Sequence, residues 1–118
     1  MTRLLAALLL LAGLASPAFA HALLRKAVPG VGSTVAIAPP TVTLTFSEGV
    51  EPSFTTVEVM SAGGVHMEYG GVAAAGGDQK TISVKLKPLP PGAYTVQWHA
   101  TSVDTHKTDG KFTFTVTP

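Results

Sequence analysis

Five short segments of this chain alternate apolar and polar residues with a period of two, and this alternation constrains the fold more than any other feature. The segments are residues 41–46, 55–60, 81–86, 94–98 and 111–116. Successive side chains of a β-strand point to opposite faces of a sheet, so such alternation is typical of antiparallel strands with one buried face. The pattern therefore predicts an all-β domain in which each strand contributes one apolar row to a common core.

Glycine and proline clusters separate these segments, and two further strands are predicted over residues 22–28 and 65–69. About seven short strands in one small domain favour a seven-stranded Greek-key β-sandwich, immunoglobulin-like or cupredoxin-like in its strand arrangement. A barrel of similar length is the alternative that the pattern leaves open. Residues 70–78, rich in glycine and alanine, are predicted to form a loop. The chain shows no internal repeat, so a single domain is expected.

The first twenty residues have the layout of a secretory signal peptide. A basic residue, Arg3, precedes an apolar run over residues 4–14, and Ala18-Phe19-Ala20 forms an A-x-A cleavage site. The apolar run is too short to span a membrane well. The predicted organisation is therefore a signal peptide over residues 1–20 and one domain over residues 21–118. Cleavage would give an exported protein whose first residue is a histidine.

Charge and cysteine content exclude several classes of function. The chain has eight Lys and Arg residues against seven Asp and Glu, and it has no cysteine. Because Arg3 leaves with the signal peptide, the exported domain has no net charge when histidine is neutral, which argues against binding to nucleic acid or anionic lipid. Without cysteine there is no disulfide, zinc finger, iron–sulfur cluster or thiolate nucleophile. A metal site would have to use His, Asp, Glu, Met or the backbone.

His21 becomes chemically unusual once it is the first residue. A free α-amino group and the Nδ1 atom of the same histidine can close a chelate ring on one metal ion, and neutral imidazole suits copper. This chelator would exist only after export. The alternative is that signal peptidase must leave some residue first, and for His21 taken alone this accidental interpretation is the stronger one.

Asp104 and His106 form a D-x-H motif between the strands predicted over residues 94–98 and 111–116. In an extended segment, side chains two residues apart point to the same side. A carboxylate and an imidazole placed in this way can ligate one metal ion, or act as a base and its orienting partner. The alternative is a turn in which Asp104 bonds local backbone amides and His106 lies in solvent. For the motif taken alone, that turn is the favoured interpretation.

Five further residues could take part in metal chemistry. Glu48 lies just past the first alternating segment, where a lone carboxylate is usually solvated. His99 is predicted to face away from the core, as a surface histidine. Met60, His66 and Met67 surround a Gly-Gly turn. Thioethers suit Cu(I), but so few methionines at irregular spacing more often fill gaps in a core.

Taken in order, these motifs make the chain resemble the CopC family of periplasmic copper-binding proteins. The resemblance extends over essentially the whole exported part and depends on the segments His21-Ala22, Pro29-Gly30-x-Gly32, Phe46-Ser47-Glu48, Leu89-Pro-Pro-Gly92-Ala-Tyr94-Thr-Val96-x-Trp98, Ser102-Val-Asp104-Thr-His106 and Gly110-Lys-Phe112-Thr-Phe114-Thr-Val116. No single segment is decisive, and their order and spacing carry the resemblance. It implies a seven-stranded Greek-key β-sandwich, in agreement with the alternation.

The resemblance also implies a Cu(II) site. Its ligands would be the amine and ring of His21 together with the side chains of Asp104 and His106. Glu48 would be a neighbour that hydrogen-bonds to the site or ligates weakly. Some members have a second, Cu(I) site in a methionine-rich loop, whereas this chain keeps only two methionines and one histidine there. A member that binds Cu(II) alone is therefore expected.

Three hypotheses from different classes follow. The first is a periplasmic Cu(II) carrier, a monomer without enzymatic activity, which by resemblance exchanges copper with an inner-membrane partner of the CopD type. The second is a histidine-brace copper oxygenase, which needs an open coordination position and an aromatic binding surface, whereas Tyr94 and Trp98 are predicted to face the core. The third is a structural immunoglobulin-like module, against which the co-occurrence of His21, Glu48 and the D-x-H motif argues.

Overall fold

Residues 22–118, which the computed structural model describes, form two four-stranded β-sheets around one apolar core. In chain order the strands are β1 (Leu24–Val28), β2 (Thr34–Val35), β3 (Thr41–Phe46), β4 (Thr56–Ser61), β5 (Glu68–Ala74), β6 (Thr81–Leu86), β7 (Gly92–Thr101) and β8 (Lys107–Val116). Within this part of the chain, no helix has the length and apolar character needed to cross a membrane. The predicted signal peptide, residues 1–20, and His21 lie outside the described residues.

The two sheets have strand orders β1-β3-β6-β5 and β2-β8-β7-β4. Their neighbouring strands are antiparallel, except that β2 lies parallel to β8. The predicted all-β sandwich is confirmed, and each of the seven predicted strands overlaps an observed one. The two-residue strand β2 raises the count to eight. The predicted loop over residues 70–78 is wrong in its first half, because residues 70–74 belong to β5, where Ala73 and Ala74 pair with β6 after a shift in register.

The apolar rows predicted from the alternation form the core. In β3, Val42, Leu44 and Phe46 are each no more than 1% exposed, and the threonines between them are half-buried on the other face. Strands β4, β6, β7 and β8 contribute the inward residues Val57, Val59, Ile82, Val84, Leu86, Tyr94, Val96, Trp98, Ala100, Phe112, Phe114 and Val116. Both sheets therefore bury one face against the other, which is why the domain holds together without a disulfide.

The ring of Trp98, the single tryptophan, packs against Gly110, where any other residue would place a side chain. The Trp98 ring lies 6.2 Å from the Phe46 ring in an edge-on arrangement, and 6.3 Å from the ring of Phe112. On the strand paired with it, a Cβ atom at Gly110 would stand only 2.4 Å from two ring carbons of Trp98. The absence of a side chain at Gly110 thus sets the position of the indole, and with it the packing of β7 on β8.

The ends of four strands meet at one end of the sandwich, which we call the site end. Leu24 pairs with Phe46, so β1 begins where β3 ends. Thr101 pairs with Lys107, so β7 ends where β8 begins. Val50, after β3, forms a β-bridge with Ser102, after β7. The site end therefore brings the start of the described chain together with the segment after β3 and with the β7–β8 turn that carries the D-x-H motif.

Candidate metal centre

The D-x-H motif lies in a tight turn between β7 and β8. The Ser102 N–H donates to the His106 carbonyl at 2.8 Å, and the Thr105 N–H donates to the Ser102 carbonyl at 2.9 Å. Thr105, between the two motif residues, has a φ of +76° and is the one non-glycine residue of the described chain with positive φ. The turn favoured for the motif taken alone is therefore observed, and the extended alternative is wrong, because the backbone reverses within the motif.

The turn nevertheless brings the Asp104 and His106 side chains together. Asp104 Oδ1 lies 3.2 Å from His106 Nδ1, and the two side chains are 46% and 48% exposed. Their proximity results from the left-handed conformation at Thr105 and not from the two-residue period of a strand. The pair therefore offers a carboxylate and an imidazole together at the surface, where a metal ion can reach them.

Ser102 connects this exposed pair to the core. Its hydroxyl donates to Asp104 Oδ1 and accepts the His106 N–H at 3.1 Å. The hydrogen bond from Ser102 is the largest influence on the Asp104 carboxyl and, with smaller contributions from His106, holds its pKa below the ordinary value of 3.8, against the opposing effect of desolvation. Asp104 is therefore a carboxylate throughout the neutral range.

The start of the described chain is fixed beside this turn. Ala22 is 2% exposed, and its carbonyl accepts a hydrogen bond of 2.9 Å from the Thr108 hydroxyl, two residues after His106. Leu23 exchanges two hydrogen bonds with Ser47, at 2.7 and 2.8 Å. The residue that follows His21 is thus held between the end of β3 and the start of β8.

Glu48 lies in a segment that contacts the same turn through the backbone. The N–H of Val103, which precedes Asp104, donates to the carbonyl of Gly49 at 2.9 Å, and Val50 forms a β-bridge with Ser102. Within residues 22–118, no group of three or more His, Asp and Glu side chains is arranged to hold a metal ion. Among the described residues, the candidate metal ligands that the fold brings together are therefore Asp104 and His106.

His66 and Met60 lie away from this pair, whereas His99 lies opposite Asp109, near the start of β8 that follows His106. His99 is exposed on the outer face of β7, as predicted, and lines an open groove of about 430 Å³ with Phe54 and Lys107. His66 pairs with Met60 toward the opposite end of β4, and its Nδ1 lies 3.1 Å from a carboxylate oxygen of Glu68.

Two residues beside the pair, Ser102 and Thr108, were not identified from the sequence as parts of the site. The buried Ser102 hydroxyl and the Thr108–Ala22 hydrogen bond both depend on the fold. Thr108 and Ala22 are 86 positions apart, and no local pattern indicates their contact. For Ser102, a partial signal existed, since it continues the inward row of β7 at a position where an apolar residue would be expected.

Comparison with known proteins identifies the family to which this β-sandwich belongs. The family model for the CopC domain matches residues 24–117. Protein YobA of Escherichia coli strain K12 is 40% identical over 99 residues, covering 83% of this chain and 80% of YobA. Copper resistance protein C of Escherichia coli is 38% identical over 114 residues, covering 91% of this chain and 90% of that protein.

A solved structure has the same architecture. The crystal structure of CopC from Methylosinus trichosporium OB3b matches with a TM-score of 0.78 at 30% sequence identity, covering 83% of this chain and 95% of that one. The chain therefore belongs to the CopC family, as its motifs indicated. The family match extends from the first residue of β1 to the residue after β8 and so includes the whole sandwich and the D-x-H turn.

Proposed function

We propose that the exported protein, residues 21–118, is a periplasmic Cu(II) carrier. His21 binds the ion through its α-amino nitrogen and its ring, and Asp104 and His106 complete the ligand set. Glu48 lies beside the site as a hydrogen-bonding or weakly ligating neighbour. The observation that carries this proposal is the hydrogen bond between the Thr108 hydroxyl and the Ala22 carbonyl, at 2.9 Å.

That hydrogen bond supports the proposal because of the short reach from Ala22 to its predecessor. Consecutive Cα atoms lie about 3.8 Å apart, so a residue preceding a fixed Ala22 starts close to Thr108. Thr108 in turn lies two residues from His106. A free amine at residue 21 would therefore lie near the Asp104–His106 pair. Little loop entropy would then be lost when the amine and the pair bind one ion.

The donor atoms favour the oxidised ion. An amine nitrogen, two imidazole nitrogens and a carboxylate oxygen suit the tetragonal preference of Cu(II), whereas Cu(I) prefers sulfur. His106 Nδ1 and Asp104 Oδ1 lie 3.2 Å apart, so both side chains can bind one ion. With no sulfur among these donors, we expect reduction to release the ion, and Met60 and Met67 to add no strong Cu(I) site.

The proposed role is exchange of copper without catalysis. Relatives named Copper resistance protein C support a place in copper homeostasis, and the predicted signal peptide supports a periplasmic location. By the same family resemblance, the monomeric carrier exchanges its ion with an inner-membrane partner of the CopD type. Export is part of this proposal, because signal cleavage creates the first ligand.

Substitution at the pair tests the proposal. The protein that begins with His21 should bind one Cu(II) ion, and its melting temperature should rise, because a ligand that binds only the native state stabilises it. His106→Ala and Asp104→Ala should each lose most of that rise and leave the metal-free fold intact, whereas Glu48→Gln should lose less. His66→Ala, at a histidine outside the proposed site, is the control. Equal copper-dependent rises in the wild type and His106→Ala would refute the ligand assignment.

A further inference from the structure

Ser102 is a polar residue in a core position. The inward row of β7 runs through Tyr94, Val96, Trp98 and Ala100, all buried, and Ser102 continues it with 0% exposure just past the end of the strand. An apolar side chain at this position would continue the alternation without cost, whereas a buried hydroxyl needs hydrogen-bond partners. The identity of those partners therefore indicates what the hydroxyl does.

The partners of the Ser102 hydroxyl all belong to the two residues of the D-x-H pair. Its single proton is donated to Asp104 Oδ1, and its oxygen accepts the His106 N–H at 3.1 Å. The His106 carbonyl, 3.2 Å from the hydroxyl, receives the Ser102 N–H at 2.8 Å. One buried side chain thus holds the carboxylate of Asp104 and the backbone of His106 at the same time.

The turn needs such support because of Thr105. A β-branched residue with a φ of +76° is in a conformation that is unfavourable for its side chain. Conformations of this kind persist where the surroundings over-determine them, and they cluster at functional sites. The bonds to Ser102 on both sides of Thr105 provide that support, and the conformation they hold is the one in which Asp104 and His106 meet.

We propose that Ser102 is a positioning residue for the copper site, whose hydroxyl fixes Asp104 and His106 in their binding arrangement before the metal arrives. This inference rests on the proposed Cu(II) function and deepens it. A site whose ligands are already ordered loses less conformational entropy on binding and so gains affinity. Ser102 itself touches no metal and acts only through the two ligands.

Ser102→Ala tests this role, with Thr55→Val as the matched control. Thr55 is also buried, 5% exposed, and its hydroxyl accepts a hydrogen bond of 3.2 Å from the N–H of Thr101, the residue before Ser102. Both variants lose one buried hydroxyl near the site end, but only Ser102→Ala releases the D-x-H pair. Both are made in the protein that begins with His21 and are titrated with Cu(II) alone.

Two readouts separate positioning from general stability. In the metal-free protein, Ser102→Ala should speed amide hydrogen exchange at His106, while Thr55→Val leaves it unchanged. With Cu(II), Ser102→Ala should weaken binding by about 10-fold to about 150-fold, the range expected for one hydrogen bond to a charged group. It should also shift the copper EPR parameters. Thr55→Val should keep the wild-type affinity and spectrum even where its melting temperature falls.

The outcomes distinguish this inference from the proposed function. If the wild type binds Cu(II) and Ser102→Ala binds it equally well with the same spectrum, the positioning role is wrong and the carrier function stands. If the wild type binds no Cu(II), both are wrong. If Ser102→Ala does not fold, Ser102→Thr, which retains the hydroxyl, takes its place. The positioning role then requires that Ser102→Thr keep the wild-type copper spectrum and that the wild-type His106 amide exchange slowly without metal. A fast-exchanging wild-type amide overturns the role.

Discussion

Thr108→Val should weaken Cu(II) binding without touching any proposed ligand. The substitution removes the hydroxyl that donates to the Ala22 carbonyl at 2.9 Å and keeps a side chain of nearly the same size. A neutral hydrogen bond contributes about 0.5–1.5 kcal/mol. Without this bond, the metal itself must order the residues next to His21. The free energy of the lost hydrogen bond is therefore subtracted from the free energy of Cu(II) binding. Since 1.4 kcal/mol is a tenfold change in an equilibrium constant, Kd should rise by about 2-fold to about 13-fold.

The assay is a competitive Cu(II) titration against a chelator of known affinity, on protein whose intact mass shows that it begins with His21. Thr113→Val is the matched control, because it makes the same chemical change on the exposed face of the same strand. The control should keep the wild-type Kd, and both variants should stay folded. Equal Kd values for Thr108→Val and Thr113→Val would refute the claim that this hydrogen bond anchors the first ligand.

Two further predictions concern the fold and the ionisation of the site. Gly110→Ala places a Cβ atom 2.4 Å from the Trp98 ring; overpacking of this kind costs about 1–3 kcal/mol and should lower the melting temperature by roughly 5–20 °C. Gly71→Ala, where a Cβ would meet open space, should change it little, and equal shifts would contradict this packing. The Asp104 carboxylate, with its lowered pKa, should stabilise the fold above the ordinary value of 3.8 and lose this contribution as pH falls through the lowered value. An NMR titration midpoint at or above 3.8, or one unchanged in Ser102→Ala, would contradict this prediction.

Period-two alternation was sufficient to predict the sandwich, but it misplaced several strand ends. The predicted segment 111–116 is the second half of β8, which begins at Lys107. The first half carries Thr108 and Gly110 on the side where an apolar row would be expected, so only its hydrogen-bonded pairing with β7 reveals it. The two-residue strand β2 is too short to show any period, and its parallel partner β8 is far away in the sequence.

The candidate site was predicted in part. The sequence identified Asp104 and His106 as a possible pair, and the fold does bring them together, but through a left-handed turn at Thr105 that the alternation argument did not include. The contribution of Ser102 depends on burial, which is a tertiary property, so the motif alone could not assign it. His21 and Glu48 as parts of the copper site remain predictions from the family resemblance and from the chemistry of a free N-terminal histidine.

The most direct test of the proposed site is Cu(II) binding by two forms of the protein that differ by one residue before His21. The form that begins with His21 should bind one Cu(II) ion tightly, with nitrogen and oxygen ligands in its EPR spectrum. One added residue at the N-terminus blocks the amine and displaces it from the ring, so the extended form should lose tight binding while keeping its metal-free melting temperature. Unchanged affinity in the extended form would contradict the account, because the chelate created by signal cleavage would then not be a ligand.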